Sequence, residues 1–370
     1  MSPSRRSFLR SAALTGGFLP GAARFVRAQE PAKRRLDLLI LGGTGFLGPH
    51  VVEAALARGH NMTLFNRGRT NAEFFPDLEK LRGDRDPKVG DGLKALEGRK
   101  WDGVIDTSGY VPRIVGASAR LLADHVGHYA FISSISAYTD FSAPGMTESA
   151  PLATMEDETD EDARRYYGPL KVLCEKAAEA AMPGRTTVLR PGLIVGPLDP
   201  TDRFSYWPLR IRNGGEVLAP GVPADPIQWI DARDLAVFTV RSIENSLAGI
   251  YNMVGPVFAA DNAEFLYGCK AVTGGDARFT WVDAEFLAEK QIQPWGHLPV
   301  WAPGGGESAG LNTCSNAKAV AAGFTTRPLA ETVGDLIAWW NEQPDERRAR
   351  VRAGWTAEKE AETLAAWHAR

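Results

Sequence analysis

A chain of 370 residues with 44% hydrophobic and 24% charged residues has an ordinary soluble composition, at roughly two to three times the usual domain length. That excludes a disordered chain, a fibre and a mini-protein. Lys plus Arg number 42 against 45 Asp plus Glu, so no basic excess points to nucleic acid. No stretch of about 18 uncharged apolar residues is present to span a bilayer. Cys174, Cys269 and Cys314 are too few and scattered for a disulfide framework or a zinc site, and the six histidines show no ligand spacing, so no metal is expected.

Residues 1–28 contain no acidic residue and run Ser4-Arg5-Arg6-Ser7-Phe8-Leu9-Arg10, then a mildly apolar stretch from Ala12 to Leu19, then Val26-Arg27-Ala28. The order resembles a twin-arginine export signal; the alternative is a mobile basic N-terminus. The resemblance implies the twin-arginine translocation machinery as a partner and a periplasmic or exported location. It also implies passage of the folded chain, so that a cofactor captured in the cytoplasm travels with it. Removing the segment takes five arginines from the 42 basic residues, leaving 37 against 45 acidic ones and disfavouring polyanionic partners.

After Lys33-Arg34-Arg35 an apolar run, Leu36 to Leu41, is broken only by Asp37 and ends in Gly42-Gly43-Thr44-Gly45-Phe46-Leu47-Gly48. A buried parallel strand, a glycine turn and a helix carrying Val51, Val52, Ala55 and Leu56 follow in the order a dinucleotide-binding fold requires. Gly42 permits the tight turn, Gly45 lets backbone approach a pyrophosphate, and Gly48 lets the helix pack on the strand. The helix start, with Thr44, Phe46 and Leu47, offers free N–H groups to the anion. The second strand, Met62 to Phe65, ends in Asn66-Arg67-Gly68-Arg69, where an acidic residue would grip the ribose of NAD. Arg67 suits the 2′-phosphate of NADP, which is favoured over NAD; a solvated loop charge is the other reading. Asp84, after a third strand-like run, is a candidate adenine contact or a polar turn. Trp101 to Ile105 ends in Asp106-Thr107-Ser108-Gly109-Tyr110, at the strand end where ligands sit in open α/β sheets. That makes Thr107 and Ser108 cofactor candidates and Tyr110 a substrate candidate.

Tyr129 to Ser134 is a strand ending in hydroxyls, and Tyr167-Gly168-Pro169-Leu170-Lys171 follows it. With the glycine turn, Ser133-Ser134 before Tyr138, Arg190-Pro191-Gly192-Leu193-Ile194-Val195-Gly196-Pro197, and Ile227 to Leu235 with Asp231 and Asp234, the chain resembles the extended short-chain dehydrogenase/reductases, epimerase/dehydratase branch. The resemblance covers residues 36 to about 340. It implies an α/β fold, a Rossmann-type doubly wound parallel sheet with a smaller C-terminal substrate domain. The expected division is 1–28 signal, 36–190 dinucleotide-binding domain, 191–344 mainly substrate domain with segments returning to the first, and 345–370 a charged helical appendage.

It also implies the chemistry. Moving a hydride from a C–H carbon requires moving a proton on the attached oxygen, and Tyr167 is the expected general acid/base. An unperturbed phenol titrates near 10, so a cation one helical turn away, Lys171, is expected to lower it and, in the family, to hold the nicotinamide ribose. The lysine spacing selects Tyr167 over Tyr166. Ser134 is expected to orient the substrate oxygen, with Ser133 the competing choice; Pro191 joins the cofactor side. Pro169 requires the helix to begin near Gly168, placing Tyr167 at its positive mouth.

The acidic run within 148–162 reads as a solvated loop or a lid. Arg203 and Trp207 are candidates for binding an anion or stacking on a sugar, although core packing is the favoured reading for Trp207. Leu329, Val333, Leu336, Ile337 and Trp340 fall at helical spacing behind Pro328 and read as core. The functional expectation is hydride transfer at a secondary alcohol or ketone of a sugar-like small molecule, by an enzyme holding its cofactor tightly because no free pool is expected outside the inner membrane. The alternatives are a simple NADPH-dependent reductase and a non-catalytic nucleotide-binding scaffold, the latter because Phe65-Asn66-Arg67-Gly68 and Tyr167 to Lys171 resemble a subgroup with chloroplast RNA-binding members. A homodimer is a family-level expectation.

Overall fold

The computed structural model describes residues 31–370; the segment read as an export signal, 1–28, lies outside the described residues.

The first apolar run forms β1 (Asp37–Leu41), buried at every residue after Asp37, as a strand covered on both faces must be. The glycine turn leads into α1 (Leu47–Ala57), and the chain continues through β2 (Asn61–Asn66), β3 (Glu79–Arg82), β4 (Trp101–Asp106), α2 (Pro112–Leu122), β5 (Val126–Ile132), α3 (Tyr167–Ala181) and β6 (Thr186–Pro191). It then leaves this layer for β7 (Ile194–Val195), α4 (Tyr206–Arg212), β8 (Glu216–Pro220) and β9 (Pro226–Asp231), and returns with α5 (Ala232–Glu244) and β10 (Gly249–Met253). Seven strands make one sheet in the order β10-β6-β5-β4-β1-β2-β3, and every pair in it is parallel.

Helices α1 and α5 cover one face of the sheet, α2 and α3 the other. Each face has its own apolar core, one around Leu38, Ile40, Val51 and Leu235, the other around Leu39, Phe65, Phe131 and Cys174. This is the Rossmann-type α/β fold anticipated from the alternation of runs and helices. Strand order reverses between β1 and β4, so the carboxyl ends of those two strands open a crevice.

Beyond the sheet lie β11 (Gly255–Asp261), α6 (Asn262–Thr273), β12 (Arg278–Val282), α7 (Ala284–Glu289), α8 (Ala317–Ala321) and α9 (Leu329–Asn341). Strands β11, β9 and β7 form a small sheet and β12 pairs with β8. Their core is aromatic, built on Phe204, Trp207, Trp229, Phe265 and Trp301; burying each such side chain is worth about 1.5–3 kcal/mol. Val333, Leu336 and Trp340 of α9 are buried and Pro328 stands immediately before the helix. No described helix is long and apolar enough to cross a membrane.

The final segment carries α10 (Asp345–Arg348) and α11 (Ala357–His368), and its polar groups are built into the second core. Glu360, 3% exposed, accepts from Leu218 N–H at 2.9 Å and pairs with Arg210. Asp202, fully buried, pairs with Arg347 and accepts from Arg352 N–H at 2.9 Å, while Arg352 Nη1 donates to Pro200 O at 2.9 Å. The loop before α4 is thus fixed from the far end of the chain, including Asp202 at the unusual φ of 60°.

Candidate active site

The glycine turn is shaped by two close approaches. Gly42 adopts φ 122°, and a Cβ there would stand 2.6 Å from Thr107 Oγ1. At Gly48 a Cβ would stand 2.7 Å from the backbone of Gly43, so only glycine lets α1 rest on the turn. At Gly45 an added Cβ meets nothing within 4 Å, which leaves open space over the turn. No side chain caps the start of α1, so its N–H groups remain available to an anion. These are the features a pyrophosphate cradle needs, and the residues present fit a dinucleotide.

The walls are pinned locally. Thr107 and Ser108 hydroxyls both donate to Leu41 O, at 3.2 and 3.1 Å, tying the end of β4 to the end of β1. Arg85, from the loop after β3, reaches in to make two bonds with Asp106, at 2.7 and 2.8 Å, and Tyr129 donates to the same carboxylate at 2.8 Å. Burial disfavours the Asp106 charge, but the Arg85 guanidinium wins and holds the carboxyl below its usual range. Arg85 carries no sequence motif and was not anticipated.

A cavity of about 750 Å³ opens over this crevice. Of the residues selected from sequence, Gly42, Gly45, Phe46, Leu47, Gly48, Thr107, Ser108, Tyr110, Ser134, Tyr167, Lys171, Pro191 and Arg203 line it. Thr44, Asn66, Arg67 and Asp84 lie outside that lining. Thr44 is buried at the turn; Asp84 Oδ1 accepts from Asp86 N–H at 2.9 Å, which makes it a turn former. Asn66 is the last residue of β2 and Arg67 the first beyond it.

Tyr167 is the first residue of α3, with Pro169 inside the first turn, so the proline fixes where the helix begins. A Cβ on Gly168 would stand 2.1 Å from Ser136 O, and this contact brings the helix mouth against the end of the Ser134 strand. Ser134 and Tyr167 both border the cavity, and the Ser134 hydroxyl itself donates to Ser136 Oγ at 3.1 Å. Ser133 also borders the cavity, but its buried hydroxyl donates to Glu175, which pairs with Arg190 at 2.6 Å. Tyr166 lies under the Arg165 guanidinium, 4.8 Å from its ring centroid, and does not line the cavity.

Lys171 departs from the expectation. Its ammonium donates to Gly109 O at 2.8 Å and Ile132 O at 2.6 Å, and stands 4.4 Å from the Phe131 ring. Burial lowers its pKa to about 8. The Tyr167 phenol is pushed above its ordinary value by burial and by Tyr110; the opposing influences are Ser134 and Arg203, not the lysine. The two carbonyls direct the ammonium along the strand ends, so in this arrangement Tyr167 is a protonated donor.

Tyr110, 48% exposed, faces Tyr167 across the cavity with ring centroids 6.4 Å apart. Arg203 Nε donates to Thr201 Oγ1 at 3.2 Å. Trp207 is a correction: 1% exposed, its indole N–H donates to Pro299 O at 2.6 Å, so it packs the second core and does not reach the cavity. Among the lining residues that were missed are Asp199 and Trp295. Asp199 is 2% exposed and its carboxyl is pushed up by burial; Trp295 arrives from a distant loop at φ 61°. Neither has a local pattern by which it could have been found.

Residues 38–253 match the model of the NAD dependent epimerase/dehydratase family. The chloroplast stem-loop binding protein of 41 kDa b of Arabidopsis thaliana is 26% identical over 252 residues, which span 64% of this chain and 62% of that protein. The Bos taurus epimerase family protein SDR39U1 is 24% identical over 252 residues, 62% of this chain and 78% of the relative. Among solved structures, the Thermus thermophilus UDP-glucose 4-epimerase complex with NAD superposes with a TM-score of 0.58 at 17% identity, over 83% of this chain and 100% of that one. A likeness at that identity speaks for the fold.

Proposed function

Since the chain belongs to the NAD dependent epimerase/dehydratase family, and is an NAD(P)-dependent oxidoreductase of that kind, we propose that it acts by hydride transfer on a secondary alcohol or ketone of a sugar or sugar-like substrate, with a tightly held cofactor. The observation that carries this reading is that Tyr167 and Ser134 both line the cavity that the glycine turn opens. A nicotinamide cofactor, when bound, supplies the hydride acceptor and donor. Ser134 orients the substrate oxygen and Tyr167 moves its proton at the phenol oxygen. Lys171, one turn in, fixes the strand ends against the helix, and Arg203 offers a cation to an anionic substituent.

Asn66 in place of an acid at the end of β2, beside exposed Arg67, favours NADP over NAD. The N-terminal arginine pair supports export through the twin-arginine route to the periplasm, and with it chemistry that regenerates the cofactor within each cycle, such as epimerisation through a transient ketone. A second reading, a nucleotide-binding scaffold, draws on the printed name of the chloroplast relative. The acidic balance of the chain after residue 28 opposes an RNA partner.

The test is to purify the exported protein, denature it and identify any released nucleotide by mass and absorbance. Stoichiometric dinucleotide is expected. An empty protein that binds added NADPH weakly would replace this reading with the exchangeable reductase, and one that binds no dinucleotide would favour the scaffold.

A further inference from the structure

Asn66 ends β2, Arg82 ends β3, and the two are register partners on adjacent parallel strands. Asn66 Oδ1 accepts from Arg82 Nη1 at 2.6 Å and from Gly68 N–H at 2.9 Å, while its Nδ2 donates to Gly42 O at 3.0 Å. One amide therefore joins the glycine turn, the 67–69 loop and a guanidinium. Arg82 lies flat on that loop: a Cβ on Gly68 would stand 2.4 Å from Nη1 and 2.6 Å from Cζ.

Other arginines of this edge are neutralised. Arg85 pairs with Asp106, Arg113 with Asp86 and Glu161, and Arg99 with Glu79. Among the described residues no carboxylate pairs with Arg67, Arg69 or Arg82, and all three are exposed. The residue holding Arg82 is a neutral amide, which leaves its full charge unopposed at the carboxyl edge of β2. Strands stand about 4.8 Å apart, so a guanidinium on β3 reaches the space outside the end of β2 where the adenosine ribose of a bound dinucleotide is gripped.

We infer that Arg82 is a specificity-determining residue, a second guanidinium which with Arg67 clamps the 2′-phosphate of an adenosine dinucleotide and which Asn66 holds in place beforehand. The inference rests on the NADP reading above and adds to it the residue that enforces the choice. A phosphate monoester carries close to two negative charges and accepts paired N–H donors from a planar guanidinium. A bare 2′-hydroxyl offers the same group one neutral acceptor and no charge.

The test is calorimetric titration of the purified protein with adenosine 2′,5′-bisphosphate, 5′-AMP, NADP⁺ and NAD⁺, for wild type, Arg82→Gln, Arg82→Lys and Arg67→Gln. Wild type is expected to favour the ligands bearing a 2′-phosphate. Arg82→Gln is expected to weaken those two by about ten-fold or more and to leave 5′-AMP and NAD⁺ unchanged, with Arg82→Lys intermediate. Wild type binding both kinds equally, preferring NAD⁺, or binding none overturns the NADP reading and Arg82 with it. Wild type favouring the 2′-phosphate while Arg82→Gln keeps the full preference overturns the role of Arg82 alone. A loss shared equally by all four ligands also overturns it, because Arg82 would then serve only to hold Asn66 and the turn.

Discussion

The polar bonds that shape the glycine-turn side of the crevice span at most some tens of positions, from 24 between Asn66 and Gly42 to 67 between Ser108 and Leu41. Those that shape the opposite wall join residues far apart: Asp202 to Arg347 over 145 positions, Leu218 to Glu360 over 142. The first wall is a product of local strand-turn-helix rules. The second is assembled by buried charges brought together late in the chain, and its geometry depends on ion pairs that no local pattern announces. Tyr167 and Ser134 stand where the two walls meet.

The largest expected effect falls at that meeting point. Tyr167→Phe removes the hydroxyl and nothing else, so hydride transfer, followed by cofactor absorbance with candidate sugar ketones, should fall about 10²–10⁴-fold. Dinucleotide affinity and melting temperature should hold, and unchanged turnover would remove the acid/base role.

Next comes the distant wall itself. Arg347→Ala leaves the fully buried Asp202 with only its backbone donor, and breaking such a pair should cost about 3 kcal/mol in denaturant unfolding. Adenosine 2′,5′-bisphosphate binding should survive, since the first wall does not use this contact. Loss of both together would show that the two walls are one cooperative unit.

A further effect concerns acid and appears only as the pH is lowered. His128, 3% exposed on β5, has its pKa lowered to about 4 by burial and by Arg185. Thr187 donates to Leu247 O at 2.6 Å and therefore accepts from His128 Nε2–H at 2.6 Å. Unfolded histidine titrates near 6.5, so between pH 6.5 and 4 the unfolded chain binds the extra proton and stability falls as pH falls. The loss reaches about 3 kcal/mol at the acid end. His128→Gln should flatten the melting profile across that window; an identical slope in the variant would place the acid sensitivity elsewhere.

The same contrast explains what the sequence disclosed. The order of strand, glycine turn and helix, the hydroxyls at the end of β5 and the Tyr167 to Lys171 spacing each lie within a few residues, where periodicity and backbone geometry act, and the structure gathers them around one cavity. Pro169 even located the helix start, because a proline tolerates only the first turn. Sequence failed where a side chain's direction was decided by tertiary contacts. Lys171 turns to the carbonyls of Gly109 and Ile132, whereas the Trp207 indole, bonded to Pro299 O, takes the core place favoured for it. Asp199 and Trp295 could not be found, since nothing near them in the chain marks the wall they join.

The bracing of Asp202 also has a consequence in time. A chain made from its N-terminus at about 5–20 residues per second completes β10 and with it every strand of the main sheet well before Arg347 exists. The loop holding Asp202 waits on the order of ten seconds for a partner 145 positions later. Synthesis therefore delivers the glycine-turn side of the crevice well before the opposite wall can be set, since the arginine that pairs with Asp202 comes 145 positions after it.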